Sequence, residues 1–179
     1  MPGLLVAAGV VVFLVWGSLA KTESAPRLER RSSTVLASGI VASVTDGDTI
    51  RLADNRRVRL VQIDAPERTS GECYAEKASA ALSRLLPVGT EVRLRLDPKL
   101  DARDAGGRHL AYAFRGRTHV NLRLVELGAA APYFFRRGRG RYAVQLMRAA
   151  RAAKTAGDGL WGECPGTALN PMRSVDTRT

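Results

Sequence analysis

The apolar positions of this chain change period several times, and each change marks an element. Ile40, Val41 and Val44 form one short run, Ile50 and Leu52 flank Arg51, and Val58, Leu60, Val61 and Ile63 form a third run. Runs of this kind, separated by Asp46-Gly47 and Asp54-Asn55, predict strands over 39–44, 49–52 and 57–63, an antiparallel meander with tight turns. Pro66 ends the third run. From Glu72 the period lengthens. Ala75, Ala78, Leu82, Leu85 and Leu86 share one helical face and Pro87 stops it, which predicts a helix over 72–86. Val92, Leu94 and Leu96 then alternate with Glu91, Arg93 and Arg95, a half-buried strand.

After a polar loop over 98–107, residues 109–115 read as another strand, closed by a turn at Gly116. Asn121 can cap a short helix over 122–127 that Gly128 ends. Residues 142–155 predict a last amphipathic helix with Val144, Leu146, Met147 and Ala150 inside, ended by Gly157-Asp158-Gly159, after which Leu160-Trp161 packs back on the core. The stretch 167–179 reads as a disordered tail. Periodicity alone places the fold in the α+β class. Five strands with helices between and after them suit a small five-stranded Greek-key β-barrel of the OB type, with about three helices.

Residues 1–20 carry no charged side chain, and the uncharged run ends at Ala20 before Lys21. This is the pattern of a secretory signal peptide cut after Ala20, although its first residues lack Lys or Arg. The run is also long enough for an uncleaved membrane anchor. Either reading exports the protein, to the outside of the cell or to the outer side of the membrane. Residues 21–37 read as a flexible linker and 38–166 as the folded domain.

The chain of 179 residues holds one domain of ordinary size besides that leader. Its net charge is +11, which favours polyanionic partners such as nucleic acid or an anionic membrane surface. The densest basic run, Arg136-Arg137-Gly138-Arg139-Gly140-Arg141, is either a solvated loop or a source of salt-sensitive phosphate contacts. Only two cysteines are present, Cys73 and Cys164. In an exported chain such a pair forms a disulfide, and in a reducing compartment it stays as two buried thiols. His109 and His119 have no partner at metal-ligand spacing and read as structural, and no nucleophilic Ser or Cys motif is visible.

Four acids remain. Asp46, Asp48, Asp64 and Glu67 fall at a turn and at a strand end that the meander can bring together. Carboxylates gathered at one point repel unless a hard cation separates them, and a set of oxygen donors without Cys or paired His favours calcium or magnesium over zinc. An ordinary acidic turn fits the same residues, because Asp-Gly is common in turns.

Three motifs sharpen this reading: Asp46-Gly47-Asp48-Thr49, Arg59 followed by Asp64-Ala65-Pro66-Glu67, and Asp104-Ala105-Gly106-Gly107-Arg108. In them the chain resembles the staphylococcal nuclease (thermonuclease) family over roughly residues 38 to 164. The resemblance implies an OB-type barrel and a calcium-dependent nuclease that hydrolyses DNA and RNA at the 5′ P–O bond and leaves 3′-phosphate ends. It implies that Asp48, Asp64 and the carbonyl of Ala65 bind Ca2+, with Asp46 close by without ligating firmly. Arg59, Glu67 and Arg108 would be the catalytic residues, with Glu67 handling the attacking water and the two arginines clamping the phosphate. Tyr133 matches a nucleotide-binding aromatic, and Phe135 stands where a second tyrosine often stands. With Arg136 and Arg137 they form the expected nucleic-acid contact, although a core aromatic remains open for both rings. The chain departs from the family at Ala105-Gly106, where many members carry Lys-Tyr, so substrate contact there should be weaker or the loop more mobile. A monomer is expected. A non-catalytic nucleic-acid-binding module on the same barrel, tethered at the membrane, is the alternative, and the retained acids and arginines argue against it.

Overall fold

The structure is a computed structural model, and it describes residues 35–178. The expected leader and most of the expected linker lie outside them. The first strand begins inside the expected linker. β1 spans Val35–Val44, β2 Thr49–Leu52 and β3 Arg57–Leu60. β1 pairs antiparallel with β2, and β2 with β3, as the turn residues require. β5 (Glu91–Arg95) pairs antiparallel with β1 and with β6 (His109–Arg115). Parallel pairing of β3 with β6, Val58 opposite His109 and Leu60 opposite Ala111, closes the five strands into a barrel. The α+β, OB-type architecture is therefore present.

The barrel is filled by the inward residues of each strand. Val41, Ile50, Leu52, Val58, Leu60, Val92, Leu94, Ala111 and Ala113 are buried together. Helix α1 (Ala75–Leu85) lays Ala78 and Leu82 onto this core, α2 (Val120–Glu126) adds Leu124 and Val125, and α3 (Ala143–Ala156) adds Leu146 and Ala150. In α3 the inner face is Ala143, Leu146, Ala150 and Ala153. Val144 was expected inside and is 74% exposed. It sits one position from that face, about 100° round the helix.

Two further local expectations are corrected. The strand expected over 57–63 breaks after Leu60. Gln62 takes a left-handed backbone, φ 65°, and the chain resumes as β4 (Ile63–Asp64), which pairs with the short strand Ala131–Pro132 in a separate two-stranded sheet. Such a backbone is strained for a residue with a Cβ and persists where its surroundings hold it. Here the hydrogen bonds of the buried Gln62 side chain do so. The second correction is the C-terminal tail. Residues 167–178 do not fray, for Thr167, Val175 and Thr177 are buried and the segment is tied back to the domain. A short helix, α4 (Leu160–Glu163), precedes it and buries Leu160 beside the half-buried Trp161. Cys73 and Cys164 form a disulfide that joins the start of α1 to the end of α4. Among the described residues no helix is long and apolar enough to cross a membrane.

Candidate active site

Three chain segments meet around Arg59. The first is the turn Asp46-Gly47-Asp48. A Cβ on Gly47 would stand 2.6 Å from the Ala65 Cβ and 2.8 Å from the Ala78 Cβ, so only glycine lets this turn lie against Ala65 and α1. Asp46 Oδ1 accepts the N–H of Asp48 at 3.0 Å and sets the turn. Asp48 itself is 1% exposed. Its Oδ1 accepts the Thr49 hydroxyl at 3.0 Å, and its Oδ2 accepts the N–H of Ala65 at 3.0 Å. The turn and the segment after β4 are thus held together through one carboxylate.

The second segment is β3, which carries Arg59. Its Nη1 lies 2.9 Å from Asp48 Oδ2 and its Nη2 lies 2.5 Å from Asp64 Oδ1. Nη1 also donates to the carbonyls of Leu60 at 3.0 Å and Ile63 at 2.7 Å. Those carbonyls are presented by the reversal at Gln62. Burial opposes the charge on Arg59, but Asp48 and Asp64 outweigh it and hold its pKa above the ordinary value. Burial raises the Asp48 and Asp64 carboxyls, and the adjacent Arg59 guanidinium pulls both back towards the charged form. Two buried carboxylates therefore converge on one cation, each with an oxygen against the same guanidinium.

The third segment, Asp64 to Glu67, opens onto a cleft of about 660 Å³. Arg59, Asp64, Glu67 and Arg108 all line it. Partial desolvation, with the charges of Asp46 and Asp64, raises the Glu67 pKa. Its backbone N–H donates to Glu72 Oε2 at 2.9 Å, which steadies the turn after Pro66. On the opposite wall Asp104 holds Arg108 at two points. Its Oδ1 accepts the Arg108 backbone N–H at 2.9 Å and its Oδ2 accepts Nε at 2.6 Å. Burial, the largest single influence, raises the Asp104 carboxyl, but the bonds to Arg108 and its charge together outweigh it and hold the group below its usual range. The loop between them includes Ala105 and Gly106, which also line the cleft.

Tyr133 and Phe135 close a further side. Their rings lie 6.3 Å apart, and Arg136 stands over the Phe135 ring at 5.1 Å. Phe135 is 57% exposed, so it is not a core aromatic. Arg136 lines the cleft, while Arg137 is exposed and does not. The buried Asp48, with Asp46 and Ala65, lies outside the cleft lining, and Asp64 is the expected ligand that reaches it. Among the described residues no three His, Cys, Asp or Glu side chains gather to hold a metal. The side-chain donors present are two carboxylates, both oxygen, and both already face one positive group, the Arg59 guanidinium. That set suits a hard divalent ion that completes its shell of about 6–8 oxygens with water and substrate.

Two contributors were missed by sequence reasoning. Gln62, the one uncharged polar residue in the run 58–63, anchors the loop that carries the aromatics. Its Nε2 donates to the Gly138 carbonyl at 2.7 Å and its Oε1 accepts the Gly140 N–H at 2.9 Å, while its backbone carbonyl accepts the Tyr133 N–H at 3.0 Å. The break in the apolar pattern was the available signal. Ser174, from the C-terminal segment, also lines the cleft, and nothing local marked it.

The model of the family described as "Staphylococcal nuclease homologue" matches residues 57–163, which include Arg59, Asp64, Glu67, Arg108, Tyr133 and Phe135. The chain belongs to the staphylococcal nuclease family. The thermonuclease of Staphylococcus intermedius is 28% identical over 166 residues, covering 89% of this chain and 95% of that protein. The thermonuclease of Staphylococcus hyicus is 29% identical over 128 residues, covering 68% and 73%. Endonuclease YhcR of Bacillus subtilis is 32% identical over 140 residues, 70% of this chain but 11% of that larger protein. Asp46 and Asp48 precede the family match, so their place rests on the geometry above.

Proposed function

We propose that this protein is a calcium-dependent nuclease that hydrolyses phosphodiester bonds of DNA and RNA without strong sequence preference. The observation that carries the reading is the shared cleft, which Glu67, Arg59, Arg108, the half-buried Tyr133 and the exposed Phe135 line together. Membership of a family whose relatives are named thermonuclease and endonuclease supports the class of reaction.

Asp48, Asp64 and the Ala65 carbonyl would hold calcium, which supplies Lewis-acid polarisation of a phosphoryl oxygen. The chain's own groups do the rest. Arg108, steadied by Asp104, offers a planar fork to phosphate oxygens. Arg59 exchanges its carboxylate partners for phosphate oxygens on the other side, and neither guanidinium can lose its proton at working pH. Glu67 orients a water and accepts its proton as the new P–O bond forms, and the 5′ oxygen leaves with a proton taken up from solvent. Tyr133 and Phe135 stack on a base, which tolerates any sequence. Arg136 and Arg137 add phosphate contacts that weaken with salt. The uncharged stretch at the N-terminus and the disulfide support export, with the leader either removed or kept as an anchor.

Incubation of the purified protein with single-stranded DNA and with RNA, with calcium or with EGTA, tests the reading. Cleavage of both substrates that EGTA abolishes is expected. No cleavage with calcium present overturns it.

A further inference from the structure

The C-terminal segment crosses the candidate active site. The Pro171 carbonyl accepts the N–H of Phe134 at 2.6 Å, next to the aromatic pair. Ser174 reaches the cleft. The N–H of Val175 donates to Asp64 Oδ2 at 2.8 Å, in a buried bond. The Val175 side chain is buried with Ala131, Leu160 and Cys164. Two residues on, Thr177 is 1% exposed and its hydroxyl donates to the Cys73 carbonyl at 2.9 Å. The segment is therefore seated on both sides of Val175, on the surface that the disulfide joins. It lies beyond the family match, which ends at residue 163.

The two oxygens of Asp64 have different partners. Oδ1 faces the Arg59 guanidinium, and Oδ2 is held by the peptide N–H of Val175. A neutral peptide donor fixes the carboxylate plane without adding a full positive charge, so the Asp64 charge becomes available to a divalent ion once Arg59 turns to phosphate oxygens. The geometry points to residues 171–177 as a strap that positions Asp64 for the divalent ion, with the Val175 N–H as its working atom. This inference rests on the calcium reading above. It predicts that loss of the donor weakens the metal site, as loss of a ligand's outer hydrogen-bond partner does elsewhere.

The test is calcium titration by calorimetry on the full chain, with thermal melting in EDTA as a control. Val175→Pro removes the N–H, and Val175→Ala keeps it while trimming the buried side chain. Val175→Pro should bind calcium about 10-fold more weakly or worse, whereas Val175→Ala stays close to wild type although it melts earlier. If Val175→Pro gives no cooperative melt, the comparison passes to a chain ended after Ser174, for which the same loss is expected. Wild-type calcium affinity in the variant that lacks the N–H overturns the strap, and so does an equal loss in Val175→Ala or a gain in affinity. A wild-type protein that binds no calcium overturns the metal reading itself, which separates the two failures.

Discussion

Arg59 and Arg108 are held in different ways, and the difference bears on what each can do. Arg59 donates to two carbonyls and two carboxylates and is nearly enclosed. Arg108 is bound to one carboxylate on a cleft wall. A guanidinium held at Nε keeps its fork oriented, so Arg108→Ala should lower turnover by at least ~10² if it meets charge that develops in the transition state. Steady-state kinetics checks this, and a change confined to KM would make it a binding group instead. His119 offers a second residue-scale case. It packs among Tyr112, Phe114 and Tyr142, and burial, helped by Arg95, pushes its pKa from 6.5 down to about 4. The folded protein keeps it neutral while the unfolded chain takes up a proton below 6.5. Stability is therefore full above pH 6.5 and falls as pH drops towards 4, by about 3 kcal/mol from this group. His119→Phe should flatten that part of the stability curve, measured by urea unfolding at a series of pH values. An unchanged slope would mean that His119 is not the group responsible.

The loop over 133–141 depends on Gln62 more than on its own residues. Left-handed backbone at Arg136 and Arg137 gives the loop little regular structure to hold it. Gln62 clamps it at Gly138 and Gly140, Tyr112 donates to Gln62 Oε1 at 3.2 Å, and Asp97 Oδ2 accepts the Arg141 N–H at 2.7 Å. A Cβ on Gly140 would stand 2.4 Å from the Tyr112 hydroxyl, so the loop approaches the barrel as closely as a backbone can. Gln62→Leu removes the side-chain bonds and leaves the Gly140 N–H without its acceptor, a loss of about 1–3 kcal/mol for that group. The expected result is a lower melting temperature, and a KM for nucleic acid that rises several-fold while kcat changes less. A selective fall in kcat would show that the loop acts on chemistry rather than on substrate placement.

At the scale of the molecule, one covalent link and a net charge of +11 matter most. The disulfide spans 91 residues, and the loop-entropy argument assigns it about 4–5 kcal/mol. It ties α1, which follows the acid cluster, to the end of α4, from which the C-terminal segment returns to Asp64. The Cys73→Ser/Cys164→Ser double variant should lose stability of that order in urea titration. It should also become more open to proteolysis after residue 166. A loss of stability with an intact C-terminus would show that the strap holds without the cross-link.

Sequence alone determined what depends on near neighbours. The meander followed from short apolar runs broken by Asp46-Gly47 and Asp54-Asn55. The helices on α1 and α3 followed from apolar spacing, and the stop after Leu86 from Pro87. The acids and arginines were legible as candidates because they stand in short motifs. Tertiary structure decided what depends on distant partners. The closure of β3 against β6 joins residues about fifty apart, as Val58 and His109 show. The reversal at Gln62 is held by Tyr112 and by a loop more than 70 residues away. The bond from Val175 to Asp64 spans 111 positions. A backbone donor leaves no mark in a side-chain pattern, so the segment that looked like a loose end proved to be seated on the site.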